Sequence, residues 1–252
     1  MAKIIAITNQ KGGVGKTTTS INLASSLAVA EQKILLVDID PQANSTSGLG
    51  YDKNEIEKSV YDILISSMSV EEATIETDID YLHLLPSNIN LVGAEIELVN
   101  LKDREFKLKH SLTPVVDFYD YIIIDCPPSL SLLTVNTLVA ANNVIIPIQC
   151  EYYALEGLGQ LMNTISLVKK SFNPKLEING ILLTMYDGRL NLSRQVADET
   201  RKHFHEKVFN TVINRNVRLS EAPSFGKPIL LYDVECTGAQ NYIQFAKEVL
   251  AR

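Results

Sequence analysis

Lys11-Gly12-Gly13-Val14-Gly15-Lys16-Thr17-Thr18 follows directly on the apolar run Ile4–Thr8 and precedes a stripe of Ile21, Leu23, Ala24, Leu27 and Ala28 at helical spacing. Strand, glycine-rich turn and helix in that order make the setting of a phosphate-binding loop. Glycines let backbone N–H groups converge on phosphate oxygens, and the positive end of a helix favours an anion at the same place. Gly12, Gly13, Val14, Gly15 and Thr18 are therefore expected to cradle the phosphates of ATP. Lys16 should sit over the β- and γ-phosphates, and the Thr17 hydroxyl should ligate Mg2+. One departure stands out from the common G-x-x-x-x-G-K-[ST] pattern. Gln10 occupies the position of its first glycine, and a second lysine, Lys11, precedes the glycine pair.

Working outward, two more apolar runs end in carboxylates. Leu35-Leu36-Val37-Asp38-Ile39-Asp40 places two acids one residue apart, and strand alternation predicts that both point toward the phosphate end. Tyr121-Ile122-Ile123-Ile124-Asp125 reads as a strand whose terminal Asp125 holds Mg2+ through its hydration shell. Cys126 beside it reads as a small buried neighbour, not a nucleophile. Together with Ile34–Asp38, Tyr81–Leu85, Val144–Ile148 and Ile178–Thr184, these runs are short and continuously apolar, as in strands covered on both faces. Helical patterns lie between them, including Leu155, Leu158, Leu161, Met162, Ile165 and Val168, and a helix after Pro127-Pro128 that closes over Asn136–Ala141. Tyr152 and Tyr153 are expected to pack at the start of one of them. Residues 50–118 are harder to read, with short patterns around Val60–Ile65 and Val92–Leu101, and are expected to wrap the core. The alternation predicts an α/β fold with a doubly wound, mostly parallel sheet flanked by helices, a single domain over 1–252, and ligands at the carboxyl ends of the strands.

Composition narrows the setting. The chain has 252 residues and a net charge of −7, with 46% hydrophobic and 21% charged residues, an ordinary balance for a domain with a real core. Three scattered cysteines without a C-x-x-C pair suggest free thiols in the cytoplasm. Charge is uneven: residues 169–252 carry 13 Lys and Arg against 9 Asp and Glu, whereas 1–168 carry 10 against 21. That asymmetry is what an acidic body with a basic binding face would give. His203 and His205 have no ligand-type neighbour at useful spacing and read as surface residues.

The loop K-G-G-x-G-K-T resembles the deviant Walker A box of the ParA/MinD superfamily. The resemblance extends through Asp38-Ile39-Asp40-Pro41-Gln42-Ala43-Asn44, Leu84-Leu85-Pro86-Ser87-Asn88, Thr184-Met185-Tyr186-Asp187-Gly188-Arg189 and Asn216–Pro228, and is closest to ParA/Soj partition ATPases. It implies an ATPase in which Lys11 reaches the ATP of a second subunit and Asp40 orients the attacking water, with Asp38 in support. ATP would then favour a homodimer and hydrolysis would dissolve it. It also implies that Asn214, Arg215 and Pro223 lie in the adenine-bordering loop, where relatives often carry Pro at the Asn214 position. The dimer is expected to bind double-stranded DNA without sequence preference through Arg189 and Arg218, with Arg215, Lys227 and Arg194 as weaker candidates. A ParB-like partner would trigger hydrolysis and release, in a nucleoid-associated role in chromosome or plasmid partition. A related ATPase that positions another cargo over the nucleoid would share every one of these residues. Proteins of the MinD type end in an amphipathic membrane helix; Phe245–Arg252 reads instead as a core-packing helix, so no membrane partner is expected.

Overall fold

In the computed structural model, which describes residues 1–151 and 154–252, eight strands form one sheet. They are β1 (Lys3–Ile7), β2 (Ile34–Asp38), β3 (Ile75–Glu76), β4 (Leu82–Leu85), β5 (Tyr121–Asp125), β6 (Asn143–Gln149), β7 (Glu177–Tyr186) and β8 (Val208–Asn214). Their order across the sheet is β3-β4-β2-β5-β1-β6-β7-β8, and every pairing is parallel except that of β3 with β4. The chain winds from β1 through β2 and β4 on one side and then through β6, β7 and β8 on the other. Topology therefore switches direction around β1, where such sheets open a crevice at their carboxyl ends.

Alternation along the strands separates two cores. Ile4 and Ala6 of β1 pack on one face of the sheet, Ile5 and Ile7 on the other. The second face is covered by the helices Lys16–Val29 and Thr237–Ala251, and the stripe Ile21, Leu23, Ala24, Leu27 and Ala28 is buried there. Phe245, Ala246 and Val249 of the last helix are buried with it, and Phe245 meets Phe209 edge-on at 4.8 Å between ring centroids. Helices drawn from 60–65, 91–98, 107–112 and 132–140 cover the first face, so the region that is hard to read from sequence does wrap the core. Leu158, Leu161, Ile165 and Val168 of Ala154–Ser171 join this layer. The expectations for Tyr152, Tyr153 and the Leu155 side chain lie outside the described residues.

Two strands escape the reading of the sequence. β3 is two residues long, and β8 mixes Asn210 and Thr211 into Val208–Asn214 because it is an edge. Where its register against β7 shifts, Asn210 N–H and Thr211 N–H donate to the two Glu248 carboxylate oxygens at 2.8 and 2.9 Å. A helix carboxylate thus satisfies two backbone donors that the irregular ladder leaves without a strand partner. No helix among the described residues is long and apolar enough to cross a membrane.

Candidate nucleotide-binding site

The loop after β1 has the conformation that its glycines permit. Gly15, at φ +87°, is left-handed and opens the 14-residue helix Lys16–Val29 without a side-chain cap among the described residues, so the first helical N–H groups face an anion site unsatisfied. Thr184 on β7 pins the loop from below, donating its hydroxyl to Val14 C=O at 2.8 Å. Lys16 is only 6% exposed, and its ammonium donates to Lys11 C=O at 3.1 Å across the loop. Burial lowers the Lys16 pKa from its ordinary value, against the opposing pull of Asp125, Cys126 and Asp40. An anionic ligand here would relieve that cost.

Strand register assembles the acids. Asp125 stands level with Ile7 on one side and with Asp38 on the other, so both carboxylates end their strands beside the loop. Asp125 accepts the Ser20 hydroxyl at 2.9 Å and the Ser45 hydroxyl at 2.8 Å. Burial pushes its carboxyl up, while hydroxyls of Ser45, Thr17 and Ser20 hold it down. With both oxygens already accepting, this set suits a cation held through water and a threonine hydroxyl, not a carboxylate cage. No cluster of three metal-ligating side chains exists among the described residues.

Asp38 and Asp40 part company. β2 stops at Asp38, so the strand alternation expected of the pair ends there. Asp38 is fully buried: one oxygen accepts Asp40 N–H at 3.2 Å, the other accepts Thr46 N–H and the Thr46 hydroxyl, each at 2.8 Å. It holds the loop rather than lining the phosphate cavity. Burial and neighbouring Asp125 push its carboxyl up. Asp40 instead lines a cavity of about 350 Å³ with Gly12, Gly13, Gly15, Lys16 and Thr17, and one of its oxygens accepts Gln42 N–H at 2.9 Å. Lys11 is absent from that lining. Its ammonium pairs with Glu151 at 3.3 Å and remains 37% exposed.

A second cavity of about 360 Å³ adjoins the first through Gly15, Thr18 and Met185, and Asn214, Arg215 and Pro223 line it. The loop carrying these three residues is joined to the Asp40 loop by close backbone approach. A Cβ on Gly226, itself at φ +62°, would meet Gly50 Cα at 2.5 Å. Lys227 lines a third, smaller cavity with Thr17 and Asn44. Arg189 and Arg218 line none of the three; Arg189 is on the exposed loop after β7 and Arg218 in the short helix Val217–Glu221. The Arg194 side chain bonds only Asn191 among the described residues. His203 and His205 are exposed, and Cys126 is fully buried with its thiol pushed up to about 12 by burial and Asp125.

Several residues of the site receive no role from the sequence, although Thr184 and Met185 fall within one of the family-like segments. Ser20, Ser45, Thr46 and Thr184 are ordinary hydroxyls there; only Ser20, one helical turn after Lys16, carries a usable signal. Met185, at φ +49°, borders both large cavities and would have passed for the end of a strand.

An open parallel sheet with an uncapped glycine turn, a buried lysine and two strand-end aspartates defines a P-loop nucleotide-binding protein. Comparison with known proteins narrows this class. A family model described as an AAA domain matches residues 2–178. The sporulation initiation inhibitor protein Soj of Bacillus subtilis is 59% identical over 251 residues, covering 100% of this chain and 99% of its own length. The chromosome partitioning protein ParA of Myxococcus xanthus is 54% identical over 252 residues, covering 100% and 89%. A crystal structure of a cobyrinic acid a,c-diamide synthase from Mycobacterium smegmatis, with bound ADP and magnesium, superposes with a TM-score of 0.88 at 38% identity, covering 99% of this chain and 94% of that one. The chain belongs to the Soj/ParA family of chromosome-partitioning ATPases.

Proposed function

We propose that residues 1–252 form one ATPase unit that drives partition of a chromosome or plasmid as an ATP-dependent dimerisation switch. The observation that carries this reading is the unequal fate of the two loop lysines. Lys16 is buried in the phosphate cavity of its own chain, whereas the Lys11 ammonium stays outside it, partly exposed and paired with Glu151 alone among the described residues. A lysine placed so is available to a second copy of the chain.

Phosphoryl transfer to water rests on positioning and charge neutralisation more than on covalent chemistry. In this reading Lys16 and the loop amides bind the phosphates, and Asp40 orients the attacking water. Asp38 acts through the loop, by fixing Asp40 and Thr46. Thr17 and, through water, Asp125 hold Mg2+, which when bound supplies positive charge against the phosphates. Asn214, Arg215 and Pro223 border the base. Lys11 completes the charge balance from the partner, so the dimer is the hydrolytic form and its loss follows turnover. The dimer binds DNA through phosphate contacts, chiefly from Arg189 and Arg218, and a ParB-like protein stimulates hydrolysis and release. The full-length likeness to Soj and ParA supports partition over the positioning of another cargo, and over the amide-forming chemistry in the name of the mycobacterial structure.

Steady-state ATP turnover with duplex DNA, with and without the ParB-like protein encoded nearest this gene, tests the proposal. Turnover that is slow alone and rises at least about tenfold with both additions supports it. Turnover indifferent to both would contradict it and send the search toward a second substrate.

A further inference from the structure

The two arginines assigned to DNA each carry a carboxylate clamp from their own chain. On the loop after β7, Arg189 places Nε and Nη2 on the two oxygens of Asp187, at 2.9 and 2.7 Å, although its side chain is 89% exposed. Asp187 is fixed in turn by accepting Arg189 N–H at 3.0 Å, and the guanidinium holds its carboxyl down to about 2. In the short helix Val217–Glu221, Arg218 donates from Nη1 to Glu221 at 3.0 Å and lies 3.5 Å from Asp233 through Nε. Tyr232 steadies that arrangement, its hydroxyl donating to the same Glu221 oxygen at 3.2 Å and its ring centroid 6.0 Å from the guanidinium. Arg215 and Lys227, by contrast, have no carboxylate at ion-pair distance among the described residues.

A guanidinium presents one planar fork to carboxylate and to phosphate alike. Asp187 takes the Nε/Nη2 edge of Arg189, and Glu221 and Asp233 take Nη1 and Nε of Arg218, so a DNA phosphate competes with these carboxylates for the same cations and for part of the same donors. We propose that Asp187, together with Glu221 and Asp233, serves as a built-in competitor for DNA phosphate, keeping Arg189 and Arg218 masked until a duplex displaces it and so holding nonspecific affinity low enough for release. The inference rests on the DNA-binding reading above and adds the residues that set its strength. Masking also predicts a shallower salt dependence than two free arginines would give, because an arginine already neutralised exchanges one anion for another.

The test is fluorescence anisotropy of a labelled duplex of arbitrary sequence with the full chain, ATP and Mg2+, at low and at physiological salt. Glu221→Gln should raise affinity about two- to fivefold, the range expected for freeing one exposed ion pair. Asp187→Asn, which keeps the amide-accepting oxygen of its turn, should do the same. Glu235→Gln removes the same charge from a neighbouring exposed residue with no cation partner among the described residues, and should change affinity less than about 1.5-fold at physiological salt, where screening is strong. In an Arg218→Ala background, Glu221→Gln should bring no gain. Equal gains from Glu221→Gln and Glu235→Gln, or a gain that survives Arg218→Ala, would overturn the masking proposal. If the parent protein binds no duplex even at low salt, the DNA reading falls and the proposal falls with it.

Discussion

The phosphate end and the arginine loops solve the problem of holding charge in opposite ways. At the phosphate end, Asp38, Asp125 and Lys16 are buried, and Asp125 takes its hydroxyl partners from Ser20 and Ser45, 105 and 80 positions away in sequence. Strand register fixes the spacing of the two aspartates, which stand level on adjacent strands. At Arg189 and Arg218 the charges are exposed, and their partners lie two or three residues away or in an adjacent turn. Charge pairs of that kind contribute little to stability and exchange readily with solvent or a competing anion. The contrast assigns the inner cluster to chemistry that demands precision and the outer loops to contacts that must be reversible.

Substitutions can break that division. Lys16→Ala should produce the largest effect: with its ammonium gone, ATP affinity should fall at least about 100-fold by calorimetry. Retained affinity would remove the phosphate-loop assignment and the contrast built on it. Arg218→Glu comes next. DNA binding should fall about tenfold or more while ATP-dependent dimerisation is preserved, and the loss should shrink as salt rises. A loss of dimerisation would show that the outer loops are not separable from the inner cluster. Ser45→Ala sharpens the comparison at smaller scale. It strips a hydroxyl from buried Asp125 and should destabilise the chain by about 1–3 kcal/mol in chemical denaturation, whereas no exposed carboxylate of the arginine loops should cost as much.

The same division governs what the sequence discloses. The strand runs ending in Asp38 and Asp125, the glycine turn and the stripe on Lys16–Val29 are local patterns with strong periodicity, and they emerge from the sequence nearly intact. β8 does not, because Asn210 and Thr211 interrupt its apolar run, although Val208 packs on one face of the sheet and Phe209 and Ile213 on the other. The hydroxyls around Asp125 and Asp38 stay hidden because any serine or threonine could supply them; only register decides which do. Strand alternation predicts Asp38 facing the phosphates beside Asp40, but β2 ends at Asp38 and its carboxylate anchors the loop at Thr46. The grip of Glu151 on Lys11 spans 140 positions, and the clamps on Arg189 and Arg218 look in the sequence like any mixed-charge turn.

The central claim is that ATP makes a dimer in which Lys11 acts on the partner's nucleotide. Light scattering on Asp40→Ala with ATP or ADP, repeated with Lys11→Ala added, addresses it directly. The account predicts a stable dimer with ATP, a monomer with ADP, and a monomer under both conditions once Lys11 is removed. A monomer with ATP, or a dimer indifferent to nucleotide and to Lys11, would contradict it.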